Sequence, residues 1–153
     1  MFTFNDLLDI AVKMEENGRQ IYMNAMEKVT DQELKSLLKW MADEEECHRQ
    51  WFLKLKAEQD KTDQDLEVML PDVLSQMMGE KTLSLDEVDF SGITTYGRML
   101  DVFREFEKDT ILFYEFLETF IEDTAALAGL GKILREETVH ADKIRLMVQS
   151  VKD

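Results

Sequence analysis

Cysteine, proline, glycine and histidine are all scarce in this chain of 153 residues, which holds one Cys, one Pro, six Gly and two His. A single cysteine excludes an internal disulfide framework and a four-cysteine zinc or iron site. That usage suits a reducing compartment. One proline and six glycines leave long stretches free of helix breakers. No stretch offers the ~20 uninterrupted apolar residues that a membrane-spanning helix needs. Met1 to Glu16 lacks the basic-then-apolar order of a signal peptide. Basic side chains are outnumbered, 18 Lys and Arg against 33 Asp and Glu, for a formal net charge of -15. Nucleic acid and anionic membranes would both repel such a chain, so neither is expected as a partner. The acid is spread along the helical stretches and not gathered into a tail, the pattern of a solvated helix surface. The expectation is a cytoplasmic, soluble protein of one domain spanning 1–153, with 44% apolar residues to build its core.

What is abundant is helical periodicity. From about Phe4 to Lys28 the residues Phe4, Leu8, Ala11, Glu15, Gly18, Tyr22, Ala25 and Val29 follow a 4-3-4-3 spacing, the seam of a helix packed in a bundle. Thr3 and Asp6 form a start signal of the capping-box type. Thr30 with Glu33 reads as a second capping box, opening a helix with seam Leu34, Leu38, Met41, Glu45, His48, Phe52 and Leu55. The connection is so short that these helices are expected as antiparallel neighbours. A third helix is predicted over about 95–122, with seam Tyr96, Leu100, Phe103, Glu107, Thr110, Tyr114, Leu117 and Ile121. A fourth is predicted over about 124–151, with seam Ala126, Leu130, Ile133, Glu137, His140, Ile144, Met147 and Val151. Between the hairpins, about 4–58 and 95–151, lies a weakly patterned crossover over about 59–94. One or two short helices are expected there between Leu66 and Met78, with Pro71 at a helix start. The fold class is all-α, a four-helix bundle with one long crossover.

The chemistry sits in the seams. Both histidines follow a glutamate by three residues, in Glu45-Cys47-His48 order within EEECH (44–48) and as Glu137 and His140 within EETVH (136–140). Three residues along a helix return to the same face, so each pair can serve one ligand. A shift of 92 residues carries Glu15 onto Glu107, Tyr22 onto Tyr114, Glu45 onto Glu137 and His48 onto His140. It also carries Met14 onto Phe106, Leu38 onto Leu130 and Met41 onto Ile133. Each half is therefore a hairpin with one Glu on its first helix and a Glu-x-x-His on its second. All six polar residues fall where the spacing demands apolar core. Four carboxylates buried together would repel one another, but two divalent cations balance their charge and two neutral imidazoles complete the ligand set. One Glu from each of two helices and a Glu-x-x-His from each of the others is the di-metal arrangement of ferritin-like bundles.

These segments resemble those of rubrerythrin-type proteins. AVKMEENGRQIY (11–22) looks like that family's first helix, EEECH and EETVH like its second and fourth, and EKDTILFY (107–114) like its third. The resemblance covers both hairpins and leaves the crossover unassigned. It implies a ferritin-like fold and a non-haem centre of two iron ions on Glu15, Glu45, His48, Glu107, Glu137 and His140. It further implies an oxidoreductase that reduces hydrogen peroxide as part of defence against oxygen. Rubrerythrins carry a rubredoxin domain with two Cys-x-x-Cys motifs. With one cysteine here, the implied electron donor is a separate protein such as a rubredoxin. The family's extra glutamate near the third-helix ligand is replaced by candidates Arg104 and Thr110, which gives a symmetric six-ligand set similar to bacterioferritin's. The residue after the second-helix ligand, where bacterioferritin has its haem-binding methionine, is Glu46, so no haem is expected. Ferroxidase activity serving iron storage, a non-catalytic iron-binding role and a di-iron oxygenase all use the same ligands. Oxygen is therefore an alternative oxidant to peroxide, and manganese or zinc are candidate substitutes for iron.

Around the ligands, Tyr22 and Tyr114 are expected to donate to metal-bound carboxylates. Glu44 and Glu136 are expected to hold the second N–H of each histidine. Cys47 lies about 200° from Glu45 on the helix, away from the site. Gly18 either allows close packing or leaves room for a small oxidant. A homo-oligomer, with a dimer foremost, is the expected assembly, in which a long crossover could exchange hairpins between chains.

Overall fold

A computed structural model of the chain describes residues 3–59 and 96–150. Four long helices account for nearly all of them: α1 (Phe4–Lys28), α2 (Gln32–Gln59), α3 (Tyr96–Glu118) and α4 (Thr124–Ser150). They fall into two compact units, the first carrying α1 and α2 and the second α3 and α4. Within each unit the two helices pack against one another as a hairpin. The expected crossover, with its short helices over 66–78, lies outside the described residues.

α1 begins where the sequence places it. The Thr3 hydroxyl accepts from Asp6 N–H at 3.0 Å, and Thr3 N–H donates to Asp6 Oδ2 at 2.9 Å. Two of the helix's otherwise open N–H groups are satisfied in this way. Asp6 in the first turn and Lys28 in the last also suit the helix dipole. The chain leaves α1 through Val29, which is extended and buried.

α2 opens differently from the expected Thr30–Glu33 box. Its cap is Asp31, whose Oδ2 accepts from Leu34 N–H at 2.9 Å and whose carbonyl accepts from Lys35 N–H at 2.9 Å. The carbonyl that takes the first intrahelical bond defines the cap, and that carbonyl belongs to Asp31. α4 starts in the same manner. Asp123 Oδ2 accepts from Ala126 N–H at 2.8 Å, and its carbonyl from Leu127 N–H at 2.9 Å. Asp31 and Asp123 are themselves 92 residues apart, so the internal repeat includes the caps.

α3 ends at Glu118, short of the expected position 122. Beyond it the backbone tightens into i→i+3 bonds, Thr119 to Phe116, Phe120 to Leu117 and Ile121 to Glu118, at 3.0–3.3 Å. Such tightening satisfies the last carbonyls of a helix. Phe116 and Phe120 meet edge-to-face at 4.9 Å over this turn, and Ile121 still turns its side chain into the core.

The seams are buried along most of their length. Leu8, Ala11, Leu34, Leu38, Met41 and Phe52 line the first hairpin; Leu100, Phe103, Phe113, Leu117, Leu130 and Ile144 line the second. The helix ends depart from the pattern, since Phe4, Tyr96 and Met147 are only half-buried and Val151 lies outside the described residues. Seam periodicity reports which face is inward, but at the last turn no neighbouring helix need extend far enough to cover it.

Candidate metal centre

Among the described residues, seven polar or charged side chains are buried: Glu15, Glu45, His48, Glu107, Thr110, Glu137 and His140. Six of these are the residues that the seam spacing selects. The seventh, Thr110, donates its hydroxyl to the Phe106 carbonyl at 2.9 Å, the usual way a helix threonine is satisfied. Arg104 is half-buried. α3 therefore brings one buried carboxylate, Glu107.

In the first hairpin α1 places Glu15 between Ala11 and Gly18, all three buried. α2 places Glu45 and His48 one turn apart on the facing side. Glu15 Oε1 lies 3.4 Å from His48 Nδ1. Glu15, Glu45 and His48 each bring a ligand atom to within 4.8 Å of the other two. The second hairpin repeats this with Glu107, Glu137 and His140, whose ligand atoms also lie within 4.8 Å of one another. His140 Nδ1 is 3.4 Å from Glu137 Oε2 and 3.6 Å from Glu107 Oε1. In both hairpins, then, Nδ1 is the imidazole atom turned toward the carboxylates.

These separations exceed a well-formed N–H···O bond of about 2.7–3.2 Å. Two ligands each about 2.1 Å from one cation, at angles between octahedral and tetrahedral, stand roughly 3.0–3.4 Å apart. The Glu15–His48 and Glu137–His140 separations, both 3.4 Å, therefore fit a shared ion, and Glu107–His140 at 3.6 Å lies just beyond that range. Charge agrees, because two carboxylates and a neutral imidazole balance one divalent cation. So does chemistry: oxygen and imidazole donors with no thiolate suit iron or manganese and also accept zinc.

Around the triads, Tyr22 and Tyr114 are completely buried, as their seam positions require. Glu44 is half-buried, with a carboxylate oxygen within 4.8 Å of a His48 ring nitrogen. Glu136 is half-buried and lies 3.9 Å from Lys132. Cys47 is exposed, in line with its direction on the helix.

Glu46 has a distinct role. Arg49 grips it through both Nε and Nη2, each at 2.9 Å, and Gln50 adds a third bond at 2.9 Å. These bonds, Arg49's first, pull the Glu46 carboxyl down to about 2, and its negative charge in turn raises the Arg49 guanidinium. Sequence reasoning passed over Glu16, Arg19 and Arg49, which join Glu46 in an ionic cluster beside the ligands. The signal was opposite charges three apart on both helices, each pair next to a ligand, but such pairs are common on any helix surface.

A search of curated proteins finds no match to this chain. Among solved structures, a ferritin-like diiron-carboxylate protein from Thermotoga maritima is similar in fold, with a TM-score of 0.73 and 24% identity. The match covers 97% of this chain and 95% of that one. The ferritin-like four-helix fold expected from the seams is thereby borne out. Residues 6–148 match the sequence model of the Rubrerythrin family, which spans both hairpins and the segment between them, so the chain belongs to the rubrerythrin family.

Proposed function

We propose that the two hairpins form one domain around a single di-iron centre, and that the chain is an oxidoreductase reducing hydrogen peroxide there. The observation that carries this reading is the pair of buried Glu/Glu/His triads at equivalent positions in a chain of the rubrerythrin family. Glu15, Glu45 and His48 of the first hairpin and Glu107, Glu137 and His140 of the second would be the ligands that hold the iron. Two ferrous ions held there would supply the two electrons that, with two protons, convert one peroxide to two waters.

The protein's own part is to position, balance and exclude. Four carboxylates match the charge of two divalent ions and can shift their mode of binding as that charge changes. With Nδ1 turned inward, each imidazole leaves Nε2–H for an outer acceptor. Glu44 and Glu136 are the proposed outer carboxylates, fixing ring orientation and ligand basicity. The Tyr22 and Tyr114 hydroxyls are proposed donors to bound carboxylates, a use for polar groups that cannot reach water. Leu38, Met41, Phe103 and Leu130, one or two turns from a ligand on the same seam, are fully buried, and such apolar neighbours would help keep bulk water out. Electrons come from an external donor protein such as a rubredoxin, and the assembly is a homo-oligomer, with a dimer foremost.

Ferroxidase activity is the second reading, favoured by one observation. Thr110, near the third-helix ligand, bonds its own helix, and the resulting one-Glu-per-helix set is as symmetric as that of an iron-storing protein. Stopped-flow spectra of the anaerobically iron-loaded protein separate these readings. Fast oxidation by one equivalent of peroxide and slow oxidation by oxygen is the result expected for the peroxidase. The reverse order points to the ferroxidase. Inertness toward both overturns each enzymatic reading and leaves an iron-binding role.

A further inference from the structure

The 92-residue repeat makes the two triads equivalent in their ligands but not in what braces them. In the first hairpin four charges of alternating sign run from α1 to α2 and back beside the ligands. Arg49 Nη1 reaches Glu16 at 3.8 Å, Arg49 grips Glu46 at 2.9 Å, and Glu46 reaches Arg19 at 4.0 Å. Glu16 follows the ligand Glu15 directly, and Glu46 and Arg49 each adjoin a ligand of α2. Two turns further along α2, Lys56 pairs with Asp9 of α1 at 2.7 Å. These links tie the two helices of the hairpin on both sides of the Glu15–His48 contact.

Shifted by 92, the same positions hold Lys108, Ile111, Thr138 and Ala141, and Asp101 with Val148. Isoleucine, alanine and valine cannot pair with charge, and the Thr138 hydroxyl donates to the Leu134 carbonyl of its own helix at 2.8 Å. Neither the four-charge cluster nor the second pair can form there. Exposed ion pairs add little stability singly. Their geometry is another matter, since the two-bond fork within α2 fixes the direction of the Arg49 guanidinium and so aims it at Glu16 of α1. A sliding motion between α1 and α2 would have to break the Arg49–Glu16, Glu46–Arg19 and Lys56–Asp9 pairs together, whereas the equivalent positions of α3 and α4 cannot form them.

We propose that the Glu16–Arg49–Glu46–Arg19 cluster positions the ligands of the first hairpin, so that the ion served by His48 is held more tightly than the ion served by His140. The proposal rests on the metal-centre reading given above. Arg49 and its partners are positioning residues, acting through α1 and α2 and not through contact with an ion. The consequence is a graded centre, in which one position stays filled while the other exchanges more readily.

Cobalt(II), followed anaerobically by its visible absorption, is the probe, because it reports each bound ion without turnover. His140→Ala retains the triad beside the cluster and His48→Ala the triad without it. The first is expected to bind its remaining cobalt about tenfold or more tightly than the second, the usual scale of outer-shell effects. Adding Arg49→Met to His140→Ala should remove most of that advantage, Arg49→Lys should restore part of it, and Arg49→Met in His48→Ala should change nothing. Far-ultraviolet circular dichroism checks that each variant folds. Equal affinity of the two single variants, or an Arg49→Met effect of the same size in both, overturns the proposal while leaving the metal centre intact. Failure of the wild-type chain to bind cobalt overturns both.

Discussion

Replacing Glu137 by glutamine alters one charge and almost no volume, and its effect should change sign with metal. Glu137 is fully buried, with Oε2 3.4 Å from His140 Nδ1. The substitution leaves no cavity, so the packing term is negligible. In metal-free protein a second buried carboxylate of the same hairpin, Glu107, repels it. Exchanging such a charge for a neutral group of like volume is neutral or stabilising by up to about 1–4 kcal/mol. For a chain of this length 1 kcal/mol moves Tm by about 2–4 °C. Metal-free Glu137→Gln should therefore melt at the wild-type temperature or up to roughly 8–16 °C above it. With metal the balance reverses. An ion present at 1,000 times its Kd stabilises the folded wild type by about 4.1 kcal/mol. If loss of the charged ligand weakens binding about 100-fold, about 2.7 kcal/mol of this disappears, or roughly 5–11 °C of the metal-induced rise. Anaerobic thermal melts, with and without ferrous iron, should show the two proteins crossing. A variant that melts several degrees lower without metal, or that gains as much from metal as the wild type does, would refute the reasoning.

Three further outcomes can be checked separately. Asp31→Ala and Asp123→Ala should each cost about 0.5–2 kcal/mol in urea unfolding, because each removes the same cap from α2 and α4; Thr30→Ala should cost clearly less than Asp31→Ala. Hydrogen bonds from Arg49 first and Gln50 second hold the pKa of the Glu46 carboxyl at about 2, well below the ordinary 4.5. Its stabilising effect is thus complete above pH 4.5 and lost as pH falls toward 2. The stability of Glu46→Gln should accordingly fall less steeply than that of the wild type across that window, and parallel acid-unfolding curves would contradict the assignment. Tyr22→Phe should perturb the electronic spectrum of the iron-loaded protein, whereas an unchanged spectrum and activity would remove Tyr22 from the site.

Much of this molecule was legible because burial of charge is costly enough to leave a mark on spacing. Glu15, Glu45, Glu107 and Glu137 stand out since each interrupts an apolar 4-3 seam, and the structure buries all four. The helix starts were harder to read. Thr30–Glu33 fits a capping box by residue type as well as Asp31 fits a simple cap, and only the carbonyl that receives Lys35 N–H decides between them. Extending the 92-residue shift to the caps would have singled out Asp31, because it falls on Asp123. The end of α3 was concealed by Phe116, Phe120 and Ile121, which continue the apolar pattern through a turn that the backbone makes with i→i+3 bonds. Apolar spacing cannot distinguish a tightened turn from one more turn of helix. The Arg49 cluster escaped notice for the opposite reason. Its charges look like ordinary solvated surface until two helices bring them together.

The proposed function stands or falls on whether the six ligands hold two coupled ions. Mössbauer and electron paramagnetic resonance spectra of chains loaded anaerobically with iron and then oxidised with one equivalent of peroxide test it most directly. The account predicts two irons per chain and an antiferromagnetically coupled diferric pair, silent in conventional resonance spectra. One iron per chain, or two that give the signals of isolated high-spin ferric ions, would contradict it.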